Sequence, residues 1–256
     1  MMEFDGKSAF VMGGTTGIGR AAAELLAERG ATVTVFGAPG SADGADPHLP
    51  PHLNPILGDG ADAAQVEQAI ANAARHGKGL DILICSAAIH PYGDAVATSV
   101  ETWNRVMAVN VGSAFLTAHF GIPELLKRGG GAIVNVASNQ GSANNPDVAA
   151  YATSKGALLA FTRTLAMDFG SYGVRANSVS PGPIDTPLLR VAAAKLQDGR
   201  SLEAIYDEWG THVPIGRIGQ AREMAEVIAF LASPRASYVT GSDYVADGGL
   251  LARLGF

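Results

Sequence analysis

The chain is 256 residues long, 47% hydrophobic and 16% charged, with a net charge of −6. That apolar mass supports a substantial core and fits one large α/β domain over residues 1–256 better than two small ones. The negative balance gives no electrostatic footprint for nucleic acid or an anionic membrane. The single cysteine, Cys85, excludes an intrachain disulfide framework and a Cys-rich zinc site, and no metal is expected.

The start, Met1-Met2-Glu3-Phe4-Asp5, is acidic where a secretory signal is basic and then apolar. The uncharged stretch Val106–Pro123 carries Asn110, His119, Gly and Pro, which makes a poor membrane span. The expectation is a soluble, cytoplasmic protein.

In chain order, Ser8–Met12 is a short apolar run ending in glycines and reads as a buried strand. Gly17–Arg29 places Ile18, Ala21, Ala22, Leu25 and Leu26 at helical spacing, with Gly30 as the stop. Thr32–Phe36 is β-branched and strand-like. Residues 37–55 are rich in Pro, Gly, Ala and Asp and read as a long loop. Ile56-Leu57 predicts a brief strand, Ala63–Arg75 a helix and Asp81–Cys85 a strand. Val100–Lys127 predicts one long helix ended by glycines at 129–131, then Ala132–Ala137 a strand, Ala149–Phe169 a second long helix and Arg175–Val179 a strand. Thr186–Pro214 is mixed and looks like an insertion; Arg222–Ala232 predicts a helix and Asp243–Ala246 a last strand. Strands alternating with helices imply parallel crossovers, hence a doubly wound α/β sheet with helices on both faces.

Two constellations carry chemistry. The turn after the first strand reads Gly13-Gly14-Thr15-Thr16-Gly17-Ile18-Gly19. Glycines let the backbone turn sharply and approach a ligand, and the following helix offers free N–H groups and a positive dipole end suited to a pyrophosphate. Taken alone, such a turn is also an ordinary βα connection. Tyr151 and Lys155 are i and i+4 and share a helix face. A free tyrosine titrates near pH 10. A neighbouring ammonium, together with the positive charge of an oxidised nicotinamide, stabilises the phenolate and makes it useful for proton transfer to or from an alcohol oxygen. Ser138 ends the strand before this helix, where ligands bind in open α/β sheets.

Together these residues resemble the short-chain dehydrogenase/reductase family over nearly the whole chain. Residues 13–19 match its cofactor loop, with Met12 where Thr is usual, and Asp59 matches the acidic residue that meets the adenine, followed by Gly60. Ser86-Ala87-Ala88 stands in place of the family's Asn-Asn-Ala-Gly turn, lacking its Asn and Gly. Asn110, Ser138, Tyr151 and Lys155 match the catalytic set, in which Asn110 holds a water for a proton relay through Lys155. Pro181-Gly182-Pro183-Ile184-Asp185-Thr186 matches the loop at the nicotinamide amide, and Asp247-Gly248-Gly249 the C-terminal signature. The resemblance implies a Rossmann-like fold, hydride transfer with NAD or NADP, and a homotetramer built on the long helices.

The cofactor-binding set is therefore Gly13, Thr15, Thr16, Gly17, Ile18, Gly19, Asp59, Gly60, Ser86, Ala87, Ala88, Tyr151, Lys155, Pro181, Gly182, Ile184 and Thr186. The second strand ends on Gly37 and Ala38, neither the acid that binds an NAD ribose nor the Arg that binds a 2′-phosphate. Thr16 lacks the basic side chain of NADP-using relatives, so the balance leans to NAD; Ser41, Asp43 or Asp46 could fold back onto the ribose. His90, Asn139, Gln140 and Asn144 should border the substrate cleft, which suits a polyol, sugar or cyclic diol; solvated loop polarity explains them equally. Residues 186–214, with Leu188, Leu189, Leu196, Tyr206 and Trp209, read as a substrate lid or as fixed core. His48 and His52 flank Leu49-Pro50-Pro51 and carry no metal meaning. The competing functions are a 3-oxoacyl thioester reductase using the same residues, and a non-catalytic dinucleotide-binding regulatory protein.

Overall fold

A computed structural model of the chain describes residues 2–38, 49–195 and 199–253. Its organising element is strand β1 (Ser8–Met12), buried at every position. Side chains alternate across a strand, so Ala9 and Val11 enter one core and Phe10 and Met12 the other. On the first face, helix α1 (Gly17–Glu28) supplies Ala22, Leu25 and Leu26, and α8 (Ala221–Ala232) supplies Met224, Ile228 and Leu231. On the second, α2 (Ala63–His76) contributes Val66 and Ile70, α4 (Ser113–Lys127) Ile122 and Leu125, and α5 (Ala149–Phe169) Leu165.

The remaining strands are β2 (Thr32–Gly37), β3 (Pro55–Leu57), β4 (Ile82–Cys85), β5 (Gly131–Val136), β6 (Val174–Pro181) and β9 (Asp243–Ala246), which join β1 in one seven-stranded sheet. The order is β3-β2-β1-β4-β5-β6-β9 with every pair parallel. Chain order reverses between β1 and β4, where Met12 pairs with both Phe36 and Cys85. The helices above and below this point diverge and leave a crevice beyond the strands' carboxyl ends.

The predicted long helix is interrupted. Helix α3 (Val100–Met107), capped by Ser99 Oγ accepting from Thr102 N at 3.1 Å, runs through a π-turn at Ala108–Gly112 into α4. Such turns carry a residue beyond the helical repeat and often mark functional positions; here the π-turn holds Asn110. By length and composition Val100–Lys127 could cross a membrane, but its apolar residues pack on α2, α5 and β4.

The mixed segment after β6 folds as α6 (Pro187–Ala194) and α7 (Leu202–His212), started by Thr186 and Ser201, whose hydroxyls accept from Leu189 N and Ala204 N. Two-residue strands β7 (Ile184–Asp185) and β8 (Gly219–Gln220) pair across its base. A two-residue strand has no periodicity to read, so these were not expected. The loop predicted over 37–55 ends in a single 3₁₀ turn at Pro51–Leu53, pinned by fully buried Leu53. Ser41, Asp43, Asp46, His48 and Leu196 lie outside the described residues.

Candidate active site

The carboxyl ends of β1, β4, β5 and β6 open onto a cleft of about 680 Å³. Its floor is the turn from β1 into α1. Gly13 has φ +74°, and a Cβ there would lie 2.4 Å from Ala87 N, so only glycine lets this turn meet the Ser86–Ala88 turn after β4. Thr16 caps α1 without a side-chain hydrogen bond, and no acid sits in the first turn. The helix therefore presents its first N–H groups to the cleft, which fits the pyrophosphate of a dinucleotide. Thr15, Thr16, Gly17 and Ile18 line the cleft. Gly19 lies behind it, spaced so tightly against the Gly13 carbonyl that a Cβ would stand 2.2 Å from that oxygen. That close approach packs the start of α1 against the turn.

Asp59 and Gly60 border the far end, with Ser86, Ala87 and Ala88 beside them and Pro181, Gly182, Ile184 and Thr186 opposite. Asp59 is paired with Arg105 of α3, which donates from Nη1 at 2.9 Å and Nη2 at 3.3 Å. These bonds and a third from Ala61 N hold the carboxyl below the usual range. Behind Gly182, the Asp247 carboxylate accepts from the N–H groups of Gly249, Leu250 and Leu251. That cap folds Leu250 and Leu251 back onto the cleft. Arg105, Asn145, Leu250 and Leu251 line the cleft without having been expected there; none lies in a motif.

Tyr151 and Lys155 stand one turn apart on α5, 8% and 2% exposed. Lys155 Nζ lies 5.5 Å from the Tyr151 ring centroid and donates to the Val136 carbonyl oxygen at 2.8 Å. Burial pushes Lys155 down to about 7 and Tyr151 up to about 12, against a hydrogen bond from Ser138 that pulls the phenol down. The expected depression of the phenol by Lys155 is not what these side chains produce by themselves. The ammonium points at the end of β5, and desolvation dominates. Ser138, just beyond β5, is buried and also accepts from Gln140 N at 3.1 Å.

Asn110 is buried beside them, but its amide is spent. Nδ2 donates to the Ile89 carbonyl oxygen at 3.0 Å and to Ser154 Oγ at 2.9 Å, and Oδ1 accepts from Ile89 N at 2.8 Å. With both amide hydrogens committed, the side chain clips the loop after β4 to α5.

His90, Asn139, Gln140 and Asn144 all border the cleft. The His90 ring lies 4.0 Å from the Tyr151 ring and 4.9 Å from that of Tyr92. Burial, then the charges of Lys155 and Lys195, push its pKa down to about 4, so it is neutral at pH 7. His90 Nε2 and Gln140 Oε1 are buried without a hydrogen-bond partner among the described residues. Asn139 is buried and accepts from Ser138 Oγ at 3.4 Å; Asn144 is exposed on the rim. The segment read as a lid or as fixed core divides. Leu188, Leu189 and Trp209 line the cleft, while Tyr206 turns its hydroxyl to Asp185. Burial pushes the Cys85 thiol up to about 12, which removes it as a nucleophile. Among the described residues there is no cluster of metal-ligating side chains.

A family model described as enoyl-(acyl carrier protein) reductase matches residues 13–251. An uncharacterised oxidoreductase of Thermotoga maritima is 36% identical over 98% of this chain and 100% of its own length. The chain belongs to the short-chain dehydrogenase/reductase family. This short-chain dehydrogenase/reductase is also 34% identical to the 2,3-dihydro-2,3-dihydroxybenzoate dehydrogenase of Escherichia coli, over 97% of this chain and 98% of the relative. The ligand-free structure of Thermoplasma acidophilum aldohexose dehydrogenase superposes with a TM-score of 0.91 at 32% identity, covering 100% of this chain and 98% of that one. The family fold, with its open cradle, makes the enzyme an oxidoreductase of CH–OH groups that uses a nicotinamide dinucleotide.

Proposed function

We propose that this enzyme moves a hydride between NAD and a secondary alcohol or ketone bearing further hydroxyl groups. The observation that carries the reading is the meeting of Ser138, Tyr151 and Lys155 on one wall of a cleft whose floor is a glycine cradle. Gly13, Thr15, Thr16, Gly17 and Ile18 would hold the pyrophosphate, and Asp59 and Gly60 would flank the adenine. Ser86, Ala87 and Ala88 would pass along the dinucleotide, and Pro181, Gly182, Ile184 and Thr186 would meet the nicotinamide amide. Lys155 would bind the nicotinamide ribose. A bound oxidised nicotinamide supplies the hydride acceptor and a positive charge beside the phenol. Ser138 orients the substrate oxygen, Tyr151 takes or returns its proton, and Asn110 holds the Ile89 loop and Ser154 in register with them.

The extra hydroxyls are argued from His90 Nε2 and Gln140 Oε1. Buried polar atoms without partners are costly, and a hydroxylated substrate satisfies both. The lean to NAD rests on the end of β2, where Gly37 and Ala38 bring no cation, and on Arg105, already paired with Asp59. A 3-oxoacyl thioester reductase would use the same catalytic residues, but docking an acidic carrier needs a basic rim. Arg105 and Arg190 are instead neutralised by Asp59 and Asp185. A regulatory protein without chemistry has no reason to bury a lysine beside a tyrosine.

The test is absorbance at 340 nm with a panel of diols, sugars and ketoesters, alongside fluorescence titration of NADH and NADPH. We expect turnover of hydroxylated alcohols and at least about tenfold tighter NADH binding, a difference of about 1.4 kcal/mol. Tighter NADPH binding refutes the cofactor assignment; a panel with no turnover in either direction refutes the function. We also propose a homotetramer. Phe115 on α4 and Met167 on α5 are 50% and 82% exposed, large apolar groups on the two long helices. Light scattering should give about four times the chain mass; a monomeric mass rejects it.

A further inference from the structure

The substrate half of the cleft has two unlike walls. The loops after β4 and β5 bring His90 and Gln140, each with a buried polar atom that has no partner among the described residues. The segment after β7 brings Leu188, Leu189 and Trp209. Trp209 is held from behind. Its ring stacks on Tyr206 with centroids 6.0 Å apart and planes at 28°. The Tyr206 hydroxyl donates to Asp185 Oδ1 at 3.1 Å, and Asp185 also accepts from Arg190 Nε at 2.9 Å and Nη2 at 3.1 Å. One carboxylate thus ties β7, α6 and α7 together. Tyr206 itself does not border the cleft, so this bond reaches a ligand only through the placement of Trp209.

Resting on the functional reading above, we propose that the site selects a cyclic polyhydroxy substrate. Its C–H face lies on Trp209 and its hydroxyl edge meets Gln140 and His90, with Asp185 and Tyr206 as positioning residues. The Gln140 carbonyl oxygen can only accept, so it calls for a hydroxyl donor. An indole wall calls for an apolar face. A ring bearing hydroxyls presents both at once and has few rotors to freeze. An open-chain polyol presents hydroxyls on all sides and loses more freedom on binding.

The experiment compares a cyclic vicinal diol and a pyranose with open-chain diols and sugar alcohols. The enzymes are the parent chain, Trp209→Ala, Trp209→Phe and Tyr206→Phe, each checked for an unchanged melting profile. We expect the parent to favour rings by at least about tenfold in kcat/KM. Trp209→Ala should raise KM for rings about tenfold, leave kcat within about threefold and level the preference; Trp209→Phe should restore most of it. In a Trp103→Phe background Trp209 is the one tryptophan left. There Tyr206→Phe should raise KM for rings and make Trp209 more open to acrylamide quenching. A parent that prefers open chains, or a Trp209→Ala that weakens both classes equally, overturns the ring proposal while leaving the hydride-transfer reading intact. Unchanged KM and quenching in Tyr206→Phe overturn the positioning role. A parent that turns over no alcohol of either class overturns the functional reading and this proposal with it.

Discussion

Tyr151→Phe is expected to lower kcat by about a thousandfold while NADH binds within about twofold of the parent. The substitution keeps the ring, and with it the packing against His90 at 4.0 Å and the burial on α5. It removes only the hydroxyl that Ser138 contacts and that would exchange a proton with the substrate oxygen. The β1–α1 turn, the proposed dinucleotide cradle, is untouched. Kinetics at 340 nm and fluorescence titration separate the two effects; retention of more than about a tenth of parental turnover would remove Tyr151 from the mechanism. The parent also has a pH signature. Burial pushes the phenol up to about 12, and alcohol oxidation would use the phenolate, so oxidation should accelerate as pH rises, while ketone reduction, which would use the protonated phenol, should stay level over the same range.

What the sequence made legible follows from the range of the interactions involved. β1, α5 and β9 begin and end at the predicted residues because uninterrupted burial, helical spacing and flanking turns are local signals. The pairing of Tyr151 with Lys155 is local as well, since any helix brings i and i+4 together. The direction of the Lys155 ammonium is not. It depends on the Val136 carbonyl of β5, 19 residues away in sequence. The same holds for Asn110, whose amide answers to Ile89 and Ser154, and for Arg105, which meets Asp59 across 46 residues. The division of the segment after β7 could not be read either. Leu188, Tyr206 and Trp209 are all large and apolar or aromatic, and only the tertiary bond to Asp185 separates the latch from the wall. Short-range order thus revealed the Tyr151–Lys155 pair, while the hydrogen bonds that aim each group emerge from sheet and helix packing.

Lys155→Met should abolish most turnover and yet make the protein more stable, by about 5 °C in Tm at pH 6.5. The lysine is 2% exposed and, among the described residues, has a single hydrogen-bond acceptor, the Val136 carbonyl oxygen. Burial lowers its pKa from 10.5 to about 7. That shift corresponds to an adverse contribution on the order of 4–5 kcal/mol where the ammonium must be buried charged. The sign follows from proton counts. Below pH 7 folded and unfolded chains both carry the proton, and the cost is full. Between about 7 and 10.5 the unfolded chain binds more protons than the folded one, so stability rises with pH and the cost has vanished by 10.5. Methionine fits the volume without the charge, but it leaves the Val136 carbonyl without that donor, which costs about 1–3 kcal/mol. The variant's advantage should therefore be largest at pH 6.5 and should shrink, then reverse, toward pH 10. Thermal unfolding of both proteins across that range decides it. A variant less stable at pH 6.5, or an advantage that grows with pH, would mean the ammonium is well solvated in the fold. Packing does not explain a lysine kept in so costly a place; the proposed contact with a nicotinamide ribose gives its ammonium a use.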